Sequence, residues 1–457
     1  MQALVLNGAA SVKQRQPEEP GTRKDPCRKI DVFTIGDEWG STHGGMSTMN
    51  REIAINMARQ GSVHVTFLVV GGSCTEEEKN EADSKGVDLL VAENSLEEYF
   101  KTFKKFYPER DLGRLIVMGH GKFGKDAQNF RNICSCKLMH VLHSSSSNLA
   151  MLKTDDLAIR KGEEKEAAEL DMCKEADLVM AIGPLLTNEG NRSLSCTGKR
   201  VIEFTPGIIE EFKDIEPATT ESDDFEVLLV GRDDINDFEV KGYDIAAKAF
   251  ADRVLKTKPH IKLRFVGASE KSQGGKKILE SFRNWGVSDG QFVVKQLASR
   301  KKLKEELKRV DLAIMPSKVE GFGLVGLEAL SAGLPLLVNF QSGFAKALEK
   351  LTCGDSVKVK SDEPMDWAVR IEEVHRKKAK FLEEVQYLRE EYAKVYDWNT
   401  QCQRVAKEMA RVIFGMAFLN VLFICAWWPI SYLKRVSFSE FYLILFQPYL
   451  SQWGMGG

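Results

Sequence analysis

The 457-residue sequence has no Asp-x-Asp pair, no P-loop and no HExxH. These absences count against a metal–diphosphate clamp on paired aspartates, a Walker-type NTPase and a zincin. Cysteine is sparse and irregular. The 9 residues run from Cys27 to Cys425, and the only close pair is Cys134-Ser135-Cys136. That spacing suits neither a metal site nor a redox pair, and an odd count does not build a disulfide framework. Reduced thiols in a cytoplasmic catalytic region are expected. Excess charge is also lacking. Lys and Arg number 64 against 66 Asp and Glu, a net charge of −2. A chain so balanced does not coat nucleic acid. Residues 1–29 carry Pro17, Pro20 and Pro26 among polar residues and read as a disordered lead. The apolar start 3–6 is too short, and lacks the basic flank, for a signal peptide.

Short apolar runs alternate with amphipathic stretches. Strands are expected at 30–35, 63–70, 87–92, 115–118, 137–142, 177–182 and 201–204, and again at 225–230, 262–266, 291–297, 311–316 and 334–338. Helices fall between them, among them 46–59, 96–106, 161–174, 242–253, 275–285 and 300–309. The alternation predicts doubly wound parallel sheets, and the restart after the polar run 216–224 predicts two of them. The expected organisation is a first domain over 30–206, a linker over 207–224 and a second domain over 225–363. Mostly charged helices follow over 364–411, anchored by Trp367, Tyr392 and Trp398. The last piece is a hydrophobic tail over 412–457. Within it, 412–430 is 19 residues without a charge, roughly 28 Å as a helix. A membrane anchor and a docked terminal helix are both open for it.

In open α/β sheets ligands bind beyond the carboxyl ends of the strands, so residues just after strands are the candidates. Gly44 and Gly45 follow the first strand and open a helix. His120 and His143 end later strands. In the second half Gly231 and Arg232 close a strand, Lys241 and Gly242 open the next helix, and Gly267 ends the following strand. Arg232 and Lys241 suit a diphosphate. The stretch after 311–316 holds Glu320, a glycine turn Gly321-Phe322-Gly323, then Leu324 and Glu328 on an apolar helix. A helix N-terminus behind a glycine turn favours an anion. Each feature taken singly is more simply an ordinary connection or surface charge.

Together these residues resemble the retaining glycosyltransferases of family 4. Their E-x7-E motif stands here as Glu320-Gly-Phe-Gly-Leu-Val-Gly-Leu-Glu328, and the likeness extends over about 30–409 with Gly231-Arg232, Lys241-Gly242, Gly44-Gly45 and His143. The resemblance implies the GT-B fold, two Rossmann-like domains facing across a cleft. It implies a nucleotide-sugar donor, no metal and no further cofactor, and a sugar, lipid or protein as acceptor. By family role Glu320 would contact the donor sugar, and Phe322, Gly323 and Leu324 would offer backbone amides. Glu328 would hold the ribose, Arg232 and Lys241 the diphosphate. Gly45 would approach the phosphate, and His143 would lie near the anomeric centre. The alternative is a nucleotide-sugar sensor without transfer.

Overall fold

The computed structural model describes residues 29–40, 44–71, 74–92, 95–106, 112–144, 156–215, 224–232, 238–267, 272–296 and 299–415. The expected disordered lead, and the tail from 416 onward, lie outside them. Two sheets organise the chain. The first comprises β1 (Ile30–Gly36), β2 (Val63–Val70), β3 (Val87–Ala92), β4 (Leu115–His120), β5 (Lys137–Leu142), β6 (Leu178–Ile182) and β7 (Val201–Phe204). Their spatial order is β3-β2-β1-β4-β5-β6-β7, and every pair is parallel. The second comprises β8 (Phe225–Val230), β9 (Ile261–Val266), β10 (Phe292–Lys295), β11 (Leu312–Met315), β12 (Leu336–Asn339) and β13 (Lys358–Val359), in the order β10-β9-β8-β11-β12-β13, again parallel throughout. This is the GT-B architecture.

The expected strands are all present. Parallel strands are covered on both faces, so they read as largely apolar runs. β13 has no such run and was not expected.

Around the first sheet lie α1 (Gly45–Ala58), α2 (Glu76–Ser84), α3 (Leu96–Phe106), α4 (Gly124–Cys134), α5 (Asp156–Glu175) and α6 (Gly183–Ser193). Around the second lie α7 (Tyr243–Ala251), α8 (Arg253–Lys256), α9 (Gln273–Asn284), α10 (Arg300–Arg309), α11 (Leu324–Ser331) and α12 (Gly343–Ala347). The helix expected over 242–253 stops early. Asp252 turns extended and caps α8 by accepting from Val254 N at 2.9 Å.

The chain ends in α13 (Pro364–Arg376), α14 (Lys378–Val395) and α15 (Trp398–Phe414), and α15 crosses back onto α1 and β6. The expected aromatic anchors hold this return. Trp367 is fully buried. Tyr392 Oη donates to Pro206 O at 2.7 Å, and Trp398 Nε1 donates to Ile208 O at 2.8 Å. Both bonds land on the segment joining the two sheets, so the C-terminal helices brace the connection. One apolar cluster runs from Val32 and Met49 through Met315 and Leu327 to Val405 and Met409. The two halves therefore share a core.

Of the expected 412–430 span only the start is described, and residues 416–430 lie outside the described residues. Residues 412–414 are the last turn of α15, where Ile413 and Phe414 pack against that core. Among the described residues no helix is long and apolar enough to cross a membrane.

At the amino ends of the first sheet, His64 on β2 sits between Asp31 on β1 (3.0 Å) and Asp88 on β3 (3.1 Å). Hydrogen bonds to Asp31 and then Asp88 raise its pKa to about 9. A raised histidine pKa stabilises the fold fully below the unfolded value of about 6.5 and ceases to do so as pH climbs through about 9. Wild type should therefore lose more melting temperature than His64→Gln between about pH 6.5 and pH 9.5. Parallel curves in scanning calorimetry would refute it.

Candidate active site

In each sheet the strand order reverses beside its first strand, between β1 and β4 and between β8 and β11. Such reversals open a crevice at the carboxyl ends, and the expected site residues fall there.

β11 leaves the sheet at Pro316 and turns toward the first half before α11 begins. Gly323 sits at the head of α11 with φ 102°, and a Cβ there would stand 2.7 Å from Met315 Cε. Only glycine lets the chain turn that tightly into a helix. Two backbone bonds pin the turn from α12: Gly343 N donates to Glu320 O at 3.1 Å, and Phe344 N to Phe322 O at 2.5 Å. A third, Lys318 N to Val240 O at 3.0 Å, lays the turn beside the segment carrying Lys241. As a result Lys241 Nζ donates to Glu320 Oε2 at 2.7 Å, each side chain about one-quarter exposed. A half-solvated pair of this kind adds about 1 kcal/mol or less to stability. Its value lies in placing a cation and a carboxylate together at the crevice.

The turn touches the first half directly. A Cβ on Gly321 would lie 2.6 Å from His143 O, and one on Gly45 would lie 3.4 Å from Leu324 Cδ1. Phe322 is buried against Gly183 and Phe344. His143 and Gly45 are thus brought to the turn from opposite sides of the first sheet's reversal.

His143 Nε2 is buried without a hydrogen-bond partner among the described residues. Its ring meets that of His120 edge to face at 5.4 Å. His120 is fixed: its Nε2 donates to Ile35 O, and Asn50 Nδ2 donates to its Nδ1 at 3.2 Å. Burial lowers the His120 pKa to about 4 and pushes His143 well below the usual imidazole value, where the two neighbouring histidines add to the effect. Both are neutral at pH 7, so His143 presents a neutral imidazole and not a cation.

Arg232 is not drawn into the pair. It is exposed at the end of β8, and its backbone N–H donates to Tyr243 Oη at 2.9 Å. At Gly267, a candidate at its strand end, a Cβ would stand 1.5 Å from the Gly231 carbonyl. Glu328, about one turn into α11, is 7% exposed and accepts from Arg300 Nη1 at 3.2 Å. Burial raises its pKa and Arg300 opposes that rise.

Arg300 was missed in the sequence, where it reads as one cation of a basic helix. A signal was present: a cation in the first turn of a helix opposes the helix dipole and calls for a carboxylate partner. Also missed was Asp37, after β1, which accepts from Ser47 Oγ at 3.2 Å and from Lys122 Nζ at 2.8 Å. Its pKa is lowered, with burial opposing and Lys122 prevailing. Among the described residues no group of three or more His, Cys, Asp or Glu is arranged to hold a metal ion.

Residues 33–405 match the family described as "Family 4 Glycosyltransferase in conflict systems". The chain belongs to this family of glycosyltransferases. This glycosyltransferase is 28% identical over 178 residues to a D-inositol 3-phosphate glycosyltransferase of Paenarthrobacter aurescens, 38% of this chain and 40% of the relative. A protein of the same name from Segniliparus rotundus is 31% identical over 133 residues, 29% of each chain. The chain thus spans well under half the length of these curated relatives. Among solved structures, sucrose-phosphate synthase of Thermosynechococcus elongatus superposes with a TM-score of 0.64 at 17% identity, covering 85% of this chain and 99% of that one. The Anabaena protein Alr3699/HepE, solved with UDP and glucose, gives 0.61 at 14% identity over 83% and 99%. These likenesses carry the fold. The glycosyltransferase places its E-x7-E turn, its lysine and its strand-end histidine around one crevice.

Proposed function

We propose that this glycosyltransferase moves a sugar from a nucleoside-diphosphate sugar to an acceptor with retention of configuration. The observation that carries the reading is the Lys241–Glu320 pair at 2.7 Å, set between the head of α11 and the His143 end of β5. Departure of a nucleoside diphosphate builds negative charge on oxygen. A fixed cation and a helix N-terminus stabilise that charge in place. Lys241 and Arg232 take the diphosphate, and Gly44 and Gly45 close on it from the first half. Glu320 engages the donor sugar while Glu328 accepts from the ribose hydroxyls. His143 hydrogen-bonds near the anomeric carbon. No cofactor beyond the donor enters this scheme.

The curated relatives make inositol phosphate the first acceptor to try, with simple sugars, lipids and proteins after it. The decisive experiment screens UDP-, GDP- and ADP-sugars by thermal shift and by transfer or hydrolysis. Donor binding without turnover across those acceptors would replace the enzyme with a sensor. The two glutamates separate cleanly. Glu320→Gln should lower kcat by about 10²-fold with little change in donor affinity. Glu328→Gln should weaken donor binding about tenfold with kcat nearly kept. Equal effects of the two on kcat would count against these roles.

A further inference from the structure

Arg300 opens α10 behind a capped turn, with Ser299 Oγ accepting from Lys302 N at 3.2 Å. The positive end of a helix disfavours a cation there, and the residue is only 8% exposed. Burying an arginine in such a place costs several kcal/mol unless carboxylates meet it. They come from three segments distant in sequence. Nε donates to Glu211 Oε2 at 2.6 Å, on the connection after β7. Nη1 donates to Glu328 Oε1 at 3.2 Å and lies 3.4 Å from Thr48 Oγ1, on α1 of the first half. Glu52, one turn along α1 from Thr48, adds its field, and the guanidinium stacks over Phe212 at 4.9 Å. Nη2 has no hydrogen-bond partner among the described residues. One side chain therefore joins the motif helix, the inter-sheet connection and the first half.

We propose that Arg300 is the positioning residue of the donor site: it aims the Glu328 carboxylate and ties that aim to the seating of the two halves through Glu211 and Thr48. The inference rests on the reading of Glu328 as the ribose contact. With Oε1 held by Arg300, Glu328 keeps Oε2 to accept from a hydroxyl pair. The charges facing Glu328 are Arg300, Glu211 and Glu52, and Arg51 lies behind Glu52 at 3.1 Å. Without Arg300, the buried Glu328 and Glu52 and the partly exposed Glu211 share one pocket, with Arg51 and Arg59 flanking it only on the Glu52 side. Burial and mutual repulsion then both favour the protonated acid. Glu328 would then hold a proton more readily than in the wild type and lose its grip on ribose.

The test uses the full chain and the tightest binder among UDP, GDP and ADP, with the dissociation constant followed by calorimetry from about pH 6 to about pH 8.5. Wild type should be flat. Arg300→Ala should bind about tenfold or more weakly at the acid end and recover as pH rises. Arg300→Lys should restore the flat profile. In small-angle scattering without nucleotide, Arg300→Ala should show a larger radius of gyration than wild type. A pH-independent loss, or an unchanged radius, would overturn the proposal. Should Arg300→Ala not fold, Arg300→Gln carries the same comparison. Glu328→Gln separates the two readings. If it binds nucleotide as tightly as wild type, the ribose role fails. If it weakens binding while Arg300→Ala stays flat, only the positioning role fails.

Discussion

Lys241→Ala should lower kcat about 10³-fold while moving the melting temperature by no more than about 2 °C. The asymmetry follows from exposure. Lys241 and Glu320 are each about one-quarter exposed, so water screens their pairing in the resting protein. In the transition state the donor covers the crevice, water leaves, and the same charge acts through a lower dielectric. Removing the lysine also leaves the Glu320 carboxylate unopposed near a leaving group that is gaining negative charge. The single substitution therefore carries a lost attraction and an added repulsion. Lys241→Ala with Glu320→Gln should cost less than the sum of the two singles, because the residues act as a unit. Lys241→Arg should recover only part of the rate. A planar fork cannot take the place of a compact ammonium held by the Val240–Lys318 backbone bond. Initial rates of donor hydrolysis at saturating donor, with calorimetry as the folding control, decide it. A Lys241→Ala enzyme keeping a third of wild-type kcat would sink the assignment.

What the sequence shows and what it hides divide along sequence distance. β2 and β6 are visible as apolar runs because a doubly covered strand needs both faces dry. The E-x7-E turn is visible because strand exit, glycine and helix head are consecutive. The Lys241–Glu320 pair is half visible: both residues stand at loop positions, but their meeting depends on contacts distant in sequence, among them the backbone bond from Lys318 to Val240 across 78 positions. Arg300 is hidden. Its partners stand at positions 48, 211 and 328, and only the folded chain brings three such segments together. α6 and α12 are hidden for another reason. GPLLTNEGNRS and GFAKA carry little amphipathic pattern, and both are held by packing on each other. β13 exists only by pairing with β12, which no local pattern announces. The histidines show the same limit. Both stand at strand ends, yet their neutrality comes from burial against one another, and that needs the β4–β5 register.

Gly267→Ala should destabilise the second half by about 3 kcal/mol or more, lowering its melting midpoint by roughly 6–12 °C, and should abolish donor binding. Gly267 has φ 144°, where a side chain is strained whatever the space. Space is also absent, because the new Cβ would stand 1.5 Å from Gly231 O. Neither partner can yield locally. Gly267 N donates to Lys295 O at 2.9 Å and Gly231 N donates to Val266 O at 3.0 Å, so both ends are stitched into the β8–β9–β10 ladder. Gly231 is further confined by Tyr243 Oη, which would lie 1.9 Å from a Cβ there and accepts from Arg232 N at 2.9 Å. The strain therefore passes to Arg232 and to the end of β8, where the diphosphate is expected. Gly61→Ala is the matched control. It lies in a turn with nothing within 4 Å of the added carbon, and should stay within about 0.5 kcal/mol of wild type. A Gly267→Ala protein that melts with wild type and binds nucleotide normally would show that this backbone can rearrange freely, and would remove the close packing of β8 and β9 as the reason for glycine at both positions.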